Sequence, residues 1–214
     1  MIKAIIFDMD GLMFDTESAY SVVHEKMFSK RGKVFTLDTK ARFMGKRSHE
    51  VLKSVREIFN TQESVEVLLK EQDDELVGIY TTSVEKLTGL DTLLTFLNEK
   101  NIRKCIGTSS RKFLVDILLK KHRLEHEFEF VVSGDMVQKG KPDPEIYTKC
   151  LQQLGLNGAD CLVLEDSLNG IKAGISADCK TCAIPSIFTK HEDFSIADIV
   201  AQKLDDPRIK DFIG

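Results

Sequence analysis

The chain has 214 residues and a mass of 24.2 kDa, longer than the roughly 100–150 residues of a common single domain and shorter than two. Its composition, 42% hydrophobic and 30% charged, suits a soluble globular protein and excludes a disordered one. A net charge of −4 with interspersed signs gives no footprint for nucleic acid or an anionic membrane, and no apolar run approaches the roughly 20 residues of a membrane span.

Short β-type runs recur along the chain, each followed by a loop and a helical pattern. Ile2–Phe7 opens the series and runs into Asp8-Met-Asp10-Gly11; its apolar stretch from Ala4 to Phe7 is too short for a signal-peptide core, so a cytoplasmic protein is expected. Residues 16 to about 85 then carry helical patterns only. Asp15 or Thr16 can cap a helix through Ala19, Val23 and Met27 that stops at Gly32. Ser48 can cap a second through Val51, Leu52, Val55 and Phe59, and a third runs from Gln62 to about Lys86. The alternation resumes with a helix at Leu90–Leu97, a strand at Lys104–Gly107 leading into Thr108-Ser109, and a strand at Phe128–Val132. Asp143 and Pro144 mark the start of a helix that Gly155 ends. Cys161–Leu164 precedes Glu165-Asp166, Thr181–Ile184 follows, and Ile199–Ala201 supplies an edge strand before a last helical turn. Strands alternating with helices predict an α/β fold, a Rossmann-like core with a mostly parallel sheet. The core takes residues 1–15 and 86–214, and residues 16–85 form an inserted all-helical domain.

The five cysteines (Cys105, Cys150, Cys161, Cys179, Cys182) are odd in number and scattered, which fits a reducing compartment. Cys179 and Cys182 form a CxxC, but no second close pair follows for zinc, and the pair enters a strand rather than opening a helix. Buried thiols are expected. His24, His49, His122, His126 and His191 are unclustered and read as surface or satisfied residues.

In parallel sheets ligands bind at the carboxyl ends of the strands. The residues there are Asp8 and Asp10, Thr108 and Ser109, Lys141 on a loop before its helix, and Glu165 and Asp166. Carboxylates gathered at one edge repel each other unless a hard cation joins them, and Mg²⁺ prefers one or two carboxylates plus a substrate phosphate. Lys141 suits a phosphoryl group as a point charge, and Thr108 and Ser109, read as opening a helix, would present a hydroxyl and free N–H groups to an anion. There is no GxxxxGK[ST] loop for a nucleoside triphosphate. In such a site Asp8 can be a nucleophile and Asp10 an acid and base.

Asp8-Met-Asp10-Gly11-Leu-Met-Phe-Asp15-Thr16, Thr108-Ser109, Gly140-Lys141-Pro142-Asp143-Pro144 and Leu164-Glu165-Asp166-Ser167 resemble the four ordered motifs of the haloacid dehalogenase-like hydrolase superfamily. The match spans Ile5 to about Gly174, and the helical insertion falls where that superfamily places its small α-helical cap. The resemblance implies a phosphatase with Asp8 as nucleophile, Asp10 as general acid and base, and Thr108, Ser109 and Lys141 on the phosphoryl group. Asp166 would complete an Mg²⁺ site with Asp8 and the Asp10 carbonyl, and Glu165 would be either a metal-shell residue or a partner for Lys141. True dehalogenases lack the second aspartate, so Asp10 argues against them.

Two families within the superfamily are similar. The β-phosphoglucomutase family shares the DMDG, GKPDP and EDS segments but carries a cap histidine at the place of Tyr20, which weakens a mutase reading. The pseudouridine-5′-phosphatase family also resembles the chain at Tyr20–Val23 and Met44-Gly45-Lys46. The resemblance therefore implies a small phosphorylated metabolite, a phosphosugar or nucleotide-like ester, with a phosphomutase as the alternative. Tyr20, Lys46 and Arg47 become candidate specificity residues, although Lys46-Arg47 can equally be a solvated basic turn. A monomer is expected. A receiver domain would not accommodate the helical insertion, and a DxD glycosyltransferase gives no reason for Lys141.

Overall fold

The computed structural model describes residues 1–214, apart from the side chain of Leu37. Six parallel strands lie in the order β3-β2-β1-β4-β5-β6: β1 (Ala4–Phe7), β2 (Arg103–Gly107), β3 (Val131–Val132), β4 (Cys161–Glu165), β5 (Lys180–Ala183) and β6 (Ile199–Val200). β1 and the first four residues of β4 are continuous apolar runs because both faces of the sheet are covered. Successive side chains divide between them: Ile5, Phe7, Ile106, Leu162 and Leu164 enter one buried cluster, while Ala4, Ile6, Cys105, Cys161 and Val163 enter another. That is the period of two expected of an extended chain.

On the first face lie α5 (Leu90–Glu99), α6 (Lys112–His122) and α9 (Pro207–Ile213); on the second lie α7 (Glu145–Leu154) and α8 (Leu168–Ser176). Between β1 and α5 come the helices of the insertion, α1 (Thr16–Ser29), α2 (Leu37–Ala41), α3 (Ser48–Phe59) and α4 (Val65–Thr82). Their buried residues, such as Val23, Phe28, Leu52, Leu68 and Leu76, join the same cluster as the first face of the sheet. The insertion thus shares a core with the sheet rather than building a wholly separate one.

Local chemistry sets most boundaries. Asp15 caps α1 by accepting from the Ser18 N–H, and Ser64 caps α4 through the Val67 N–H. Gly155 ends α7 at φ +65°. Two starts differ from expectation. Ser48 is the first residue of α3 and Arg47 its uncapped boundary, whereas α7 starts at Glu145 with Pro144 as its boundary, one residue later than expected, and the Asp143 carboxylate accepts the Glu145 N–H. The third inserted helix is shorter than the 62–86 pattern, and the five-residue α2, capped by Thr36, is too short for periodicity to reveal.

The two connections to the insertion run side by side. Asp15 N–H donates to the Glu85 carbonyl (3.0 Å) and Leu87 N–H to the Met13 carbonyl (2.8 Å), around an antiparallel bridge between Phe14 and Lys86. All five cysteines are buried and free, and burial pushes the Cys179 and Cys182 thiols up to about 12. No helix among the described residues is long and apolar enough to cross a membrane.

Candidate active site

The parallel register brings the ends of β1, β2 and β4 level, since Phe7 lies between Ile106 and Leu164. Asp8 follows β1, its N–H bound to the Leu164 carbonyl at 3.0 Å, and so stands beside Gly107 and Glu165. The loop after β3 brings Lys141 to the same point. That loop is shaped by Glu145, whose carboxylate accepts the N–H groups of Lys139 and Gln138, and these hold its carboxyl down to about 2.

Lys141 is 2% exposed and its ammonium is fully engaged: Asp8 Oδ1 at 2.5 Å, Glu165 Oε1 at 2.6 Å and the Gly107 carbonyl at 3.2 Å. Burial alone would lower its pKa, but Asp8 and Glu165 more than reverse that, so the lysine is charged. Glu165 accepts twice on each oxygen, from Lys141 and the Tyr147 hydroxyl (2.8 Å) on one, and from the Ser167 N–H (3.0 Å) and hydroxyl (2.9 Å) on the other. Of the two readings open for Glu165, the geometry makes it the partner of Lys141. Gly170 is required beside it, because a Cβ there would fall 1.7 Å from Glu165 Oε1.

Asp166 stands differently. It is buried, and its Oδ2 has no hydrogen-bond partner. Gly11, at φ +71°, lets the turn after Asp10 pass it, since a Cβ at Gly11 would lie 2.4 Å from that oxygen. Burial, then the charges of Glu165 and Asp8, raises the Asp166 carboxyl well above the usual range; burial also raises Asp8, against the pull of Lys141. Asp8, Glu165 and Asp166 each offer an oxygen within 4.8 Å of the others. A buried acidic group with a spare oxygen, set among repelling carboxylates, fits a hard divalent cation.

The Asp10 carboxylate is turned to other partners. Thr108 Oγ1 donates to its Oδ2 at 3.0 Å, and the hydroxyl of Tyr80, a fully buried residue of α4, lies 3.5 Å from its Oδ1. Thr108 and Ser109 do not open a helix, because α6 begins only at Lys112. The Thr108 hydroxyl instead also accepts the Ser110 N–H, and the Ser109 hydroxyl donates to the Gly45 carbonyl of the insertion at 2.9 Å.

A cavity of about 60 Å³ reaches from Asp8, Asp10 and Asp166 into the insertion. Tyr20 lines it and pairs with Ser110 at 3.3 Å; Lys46, exposed, lines it too. Arg47 does not: its guanidinium is taken up by Glu50 at 2.5 Å and the Val137 carbonyl at 2.9 Å, tying the insertion to the Lys141 loop. Three further lining residues, His24, Lys40 and Gln72, escaped sequence reasoning. Of the five histidines read as surface or satisfied, His24 is buried with Nδ1 unpartnered. Lys40 lies on the short α2, buried against Glu17 at 2.9 Å. A lone histidine and a lone glutamine within helical periodicity carry no signal that separates them from core polar residues.

The fold and this edge of carboxylates, lysine and threonine are those of a hydrolase with a helical insertion after its first strand. Residues 5–184 match the model of the haloacid dehalogenase-like hydrolase family, and the chain belongs to that family. It is 33% identical over 176 residues to the "Phosphorylated carbohydrates phosphatase" of Thermotoga maritima, covering 82% of each chain. It is 30% identical over 213 residues to the "Probable pseudouridine-5′-phosphatase" of Drosophila melanogaster, covering 97% of this chain and 92% of that one. Its fold is that of CbbY from Rhodobacter sphaeroides, solved with phosphate, at a TM-score of 0.86 and 23% identity over 96% of each chain. Within the family, the chain is a phosphoric monoester hydrolase.

Proposed function

We propose that the enzyme hydrolyses a small phosphate monoester, a phosphosugar or nucleotide-like ester, by way of a phosphoryl group carried on Asp8. The observation that carries the reading is Lys141 bound to Asp8 beside an Asp10 restrained by Thr108, with both aspartates lining one cavity. Asp8 attacks phosphorus and the ester P–O bond breaks, while Asp10 gives its proton to the departing alkoxide. A water then attacks the phosphoryl group and gives its proton to Asp10, and cleavage of the P–O bond to Asp8 restores the carboxylate and releases phosphate. Lys141 holds charge next to the transferring group throughout, fixed by Glu165 before substrate arrives. The Thr108 hydroxyl restrains the Asp10 carboxylate between the two proton transfers.

The residues fit Mg²⁺, which Asp8, Asp166 and the Asp10 carbonyl would hold. When bound it neutralises charge on the carboxylates and on the phosphoryl oxygens. Dialysis against EDTA should abolish hydrolysis across a panel of esters that includes pseudouridine 5′-phosphate and β-glucose 1-phosphate, and Mg²⁺ should restore it. Full activity in EDTA would contradict the reading, and net conversion of β-glucose 1-phosphate to its 6-phosphate would favour the mutase.

In this reading residues 16–85 act as a cap hinged at the paired connections Asp15/Glu85 and Met13/Leu87, closing over the site and excluding water. The five buried free thiols support a reducing, cytoplasmic setting, and a monomer is proposed.

A further inference from the structure

Two side chains on the insertion side of the cavity have no part in the chemistry at Asp8. His24, on α1, and Gln72, on α4, both line the cavity and are 5% and 0% exposed. They bind each other, His24 Nε2 to Gln72 Oε1, at 2.8 Å. Each then keeps one polar atom without a partner, His24 Nδ1 and Gln72 Nε2. Buried polar atoms are ordinarily paired, and these two belong to bonded residues that line the cavity, which points to a partner that arrives with the substrate.

The chemistry of that partner follows from the pair. An amide carbonyl only accepts, so His24 Nε2 carries the proton and Nδ1 presents a lone pair. Gln72 Nε2 presents N–H. Exchanging the amide oxygen and nitrogen of Gln72 would reverse both roles and still leave one donor and one acceptor. Burial holds the His24 pKa down to about 4, so the imidazole is neutral at working pH. Of the two lysines on this side, the buried Lys40 is committed to Glu17 and the Ser21 hydroxyl (2.6 Å), while Lys46 is exposed. Alcohol hydroxyls, which donate and accept at once, suit such a pair. An anionic group does not, since it can only accept and would face a lone pair.

Size points the same way. The cavity is small, about 60 Å³, and is walled by Asp8, Asp10 and Asp166 as well as by the insertion, which suits a small ester rather than a phosphoprotein. Phe35, Phe43, Met44 and Val51 supply apolar walls, and the His24–Gln72 pair stands among the polar groups that the insertion presents, with Tyr20, Lys46 and Ser48.

We infer that His24 and Gln72 are specificity residues that each recognise a hydroxyl of an uncharged, polyhydroxylated leaving group. The inference rests on the phosphatase reading above and names the substrate class for the same site. Both open atoms are shut off from water and diverge on opposite sides of the His24–Gln72 bond, so a rotation of each side chain on closure would let two hydroxyls of one leaving group pair them separately.

The test compares two esters of a three-carbon chain, glycerol 3-phosphate and n-propyl phosphate, which differ only in hydroxyls. Wild-type kcat/KM should favour glycerol 3-phosphate by about 10-fold or more, and the ratio should fall at least about 10-fold in Gln72→Leu. Gln72→Glu, of the same shape, replaces the donor by an acceptor and should lower the same ratio, which covers the case of a Leu variant that does not fold. A purely structural pair would lower both rates together and leave the ratio unmoved. An unmoved ratio in both variants, or a wild type with no preference for the hydroxylated ester, overturns the inference while leaving the phosphatase reading intact. No Mg²⁺-dependent hydrolysis of any ester by the wild type overturns both.

Discussion

At the sheet edge the buried groups are held by strong, charged partners, whereas across the same cavity the insertion keeps neutral polar atoms open. Lys141 bridges Asp8 and Glu165, and Glu165 accepts four bonds in turn. On the other side His24 and Gln72 hold only each other. The difference teaches how one cavity divides labour. Transferring a phosphoryl group requires charges fixed in advance. Choosing a leaving group requires groups whose partner arrives with the substrate.

The largest expected effect lies on the charged side. Lys141→Met leaves Asp8 and Glu165 buried without their cation, and should destabilise the fold by about 3–5 kcal/mol as well as abolish turnover. Urea unfolding checks it, and a variant of unchanged stability would show that the ion cluster is not coupled to folding. Next comes Asp10→Asn, with kcat lowered by about 10²–10⁴-fold. The loss in the first step should shrink for esters with a very good leaving group, which needs no proton. An equal loss for good and poor leaving groups would mean that Asp10 does not protonate the ester oxygen.

The neutral side should respond to pH in a predictable direction. His24 falls from an ordinary 6.5 to about 4 on folding, so as pH drops the unfolded chain takes up the proton first. Its contribution is complete above pH 6.5 and is lost progressively down to about pH 4, for a total of about 3 kcal/mol. Unfolding free energies at pH 7 and pH 4 should therefore differ by about 3 kcal/mol more in the wild type than in His24→Phe. Equal differences would place a charged His24 in the fold.

The smallest effect separates Lys46 from Arg47. Lys46→Ala should change kcat/KM several-fold for a preferred ester and hardly at all for a small generic one. Arg47→Ala should act on both alike, since its guanidinium ties the insertion to the Val137 carbonyl and does not line the cavity. A selective loss in Arg47→Ala alone would reverse these roles.

The two sides also differ in how far they could be read from sequence. Asp8, Asp10, Lys141 and Asp166 each follow a strand or sit before a helix that announces itself locally, so the parallel topology alone assembles them. The sheet's alternation and the helical insertion were legible for the same reason. His24, Lys40, Gln72 and Tyr80 meet only through packing between helices that are distant in sequence. Their spacing looks like any helix face, and α2, which carries Lys40, is too short to show a period. Thr108 and Ser109 were found, but their helix was placed too early, because the Ser110–Arg111 turn that delays α6 resembles an ordinary helix start.

A phosphoryl group carried on Asp8 can be trapped and located. The wild type is mixed with a hydrolysed ester and Mg²⁺, quenched in acid within a turnover, digested and mapped by mass spectrometry. Phosphate is expected on the peptide containing Asp8, absent when Asp8 is replaced by Asn in a protein that has lost turnover. Phosphate on another residue, or full turnover by Asp8→Asn, would contradict it.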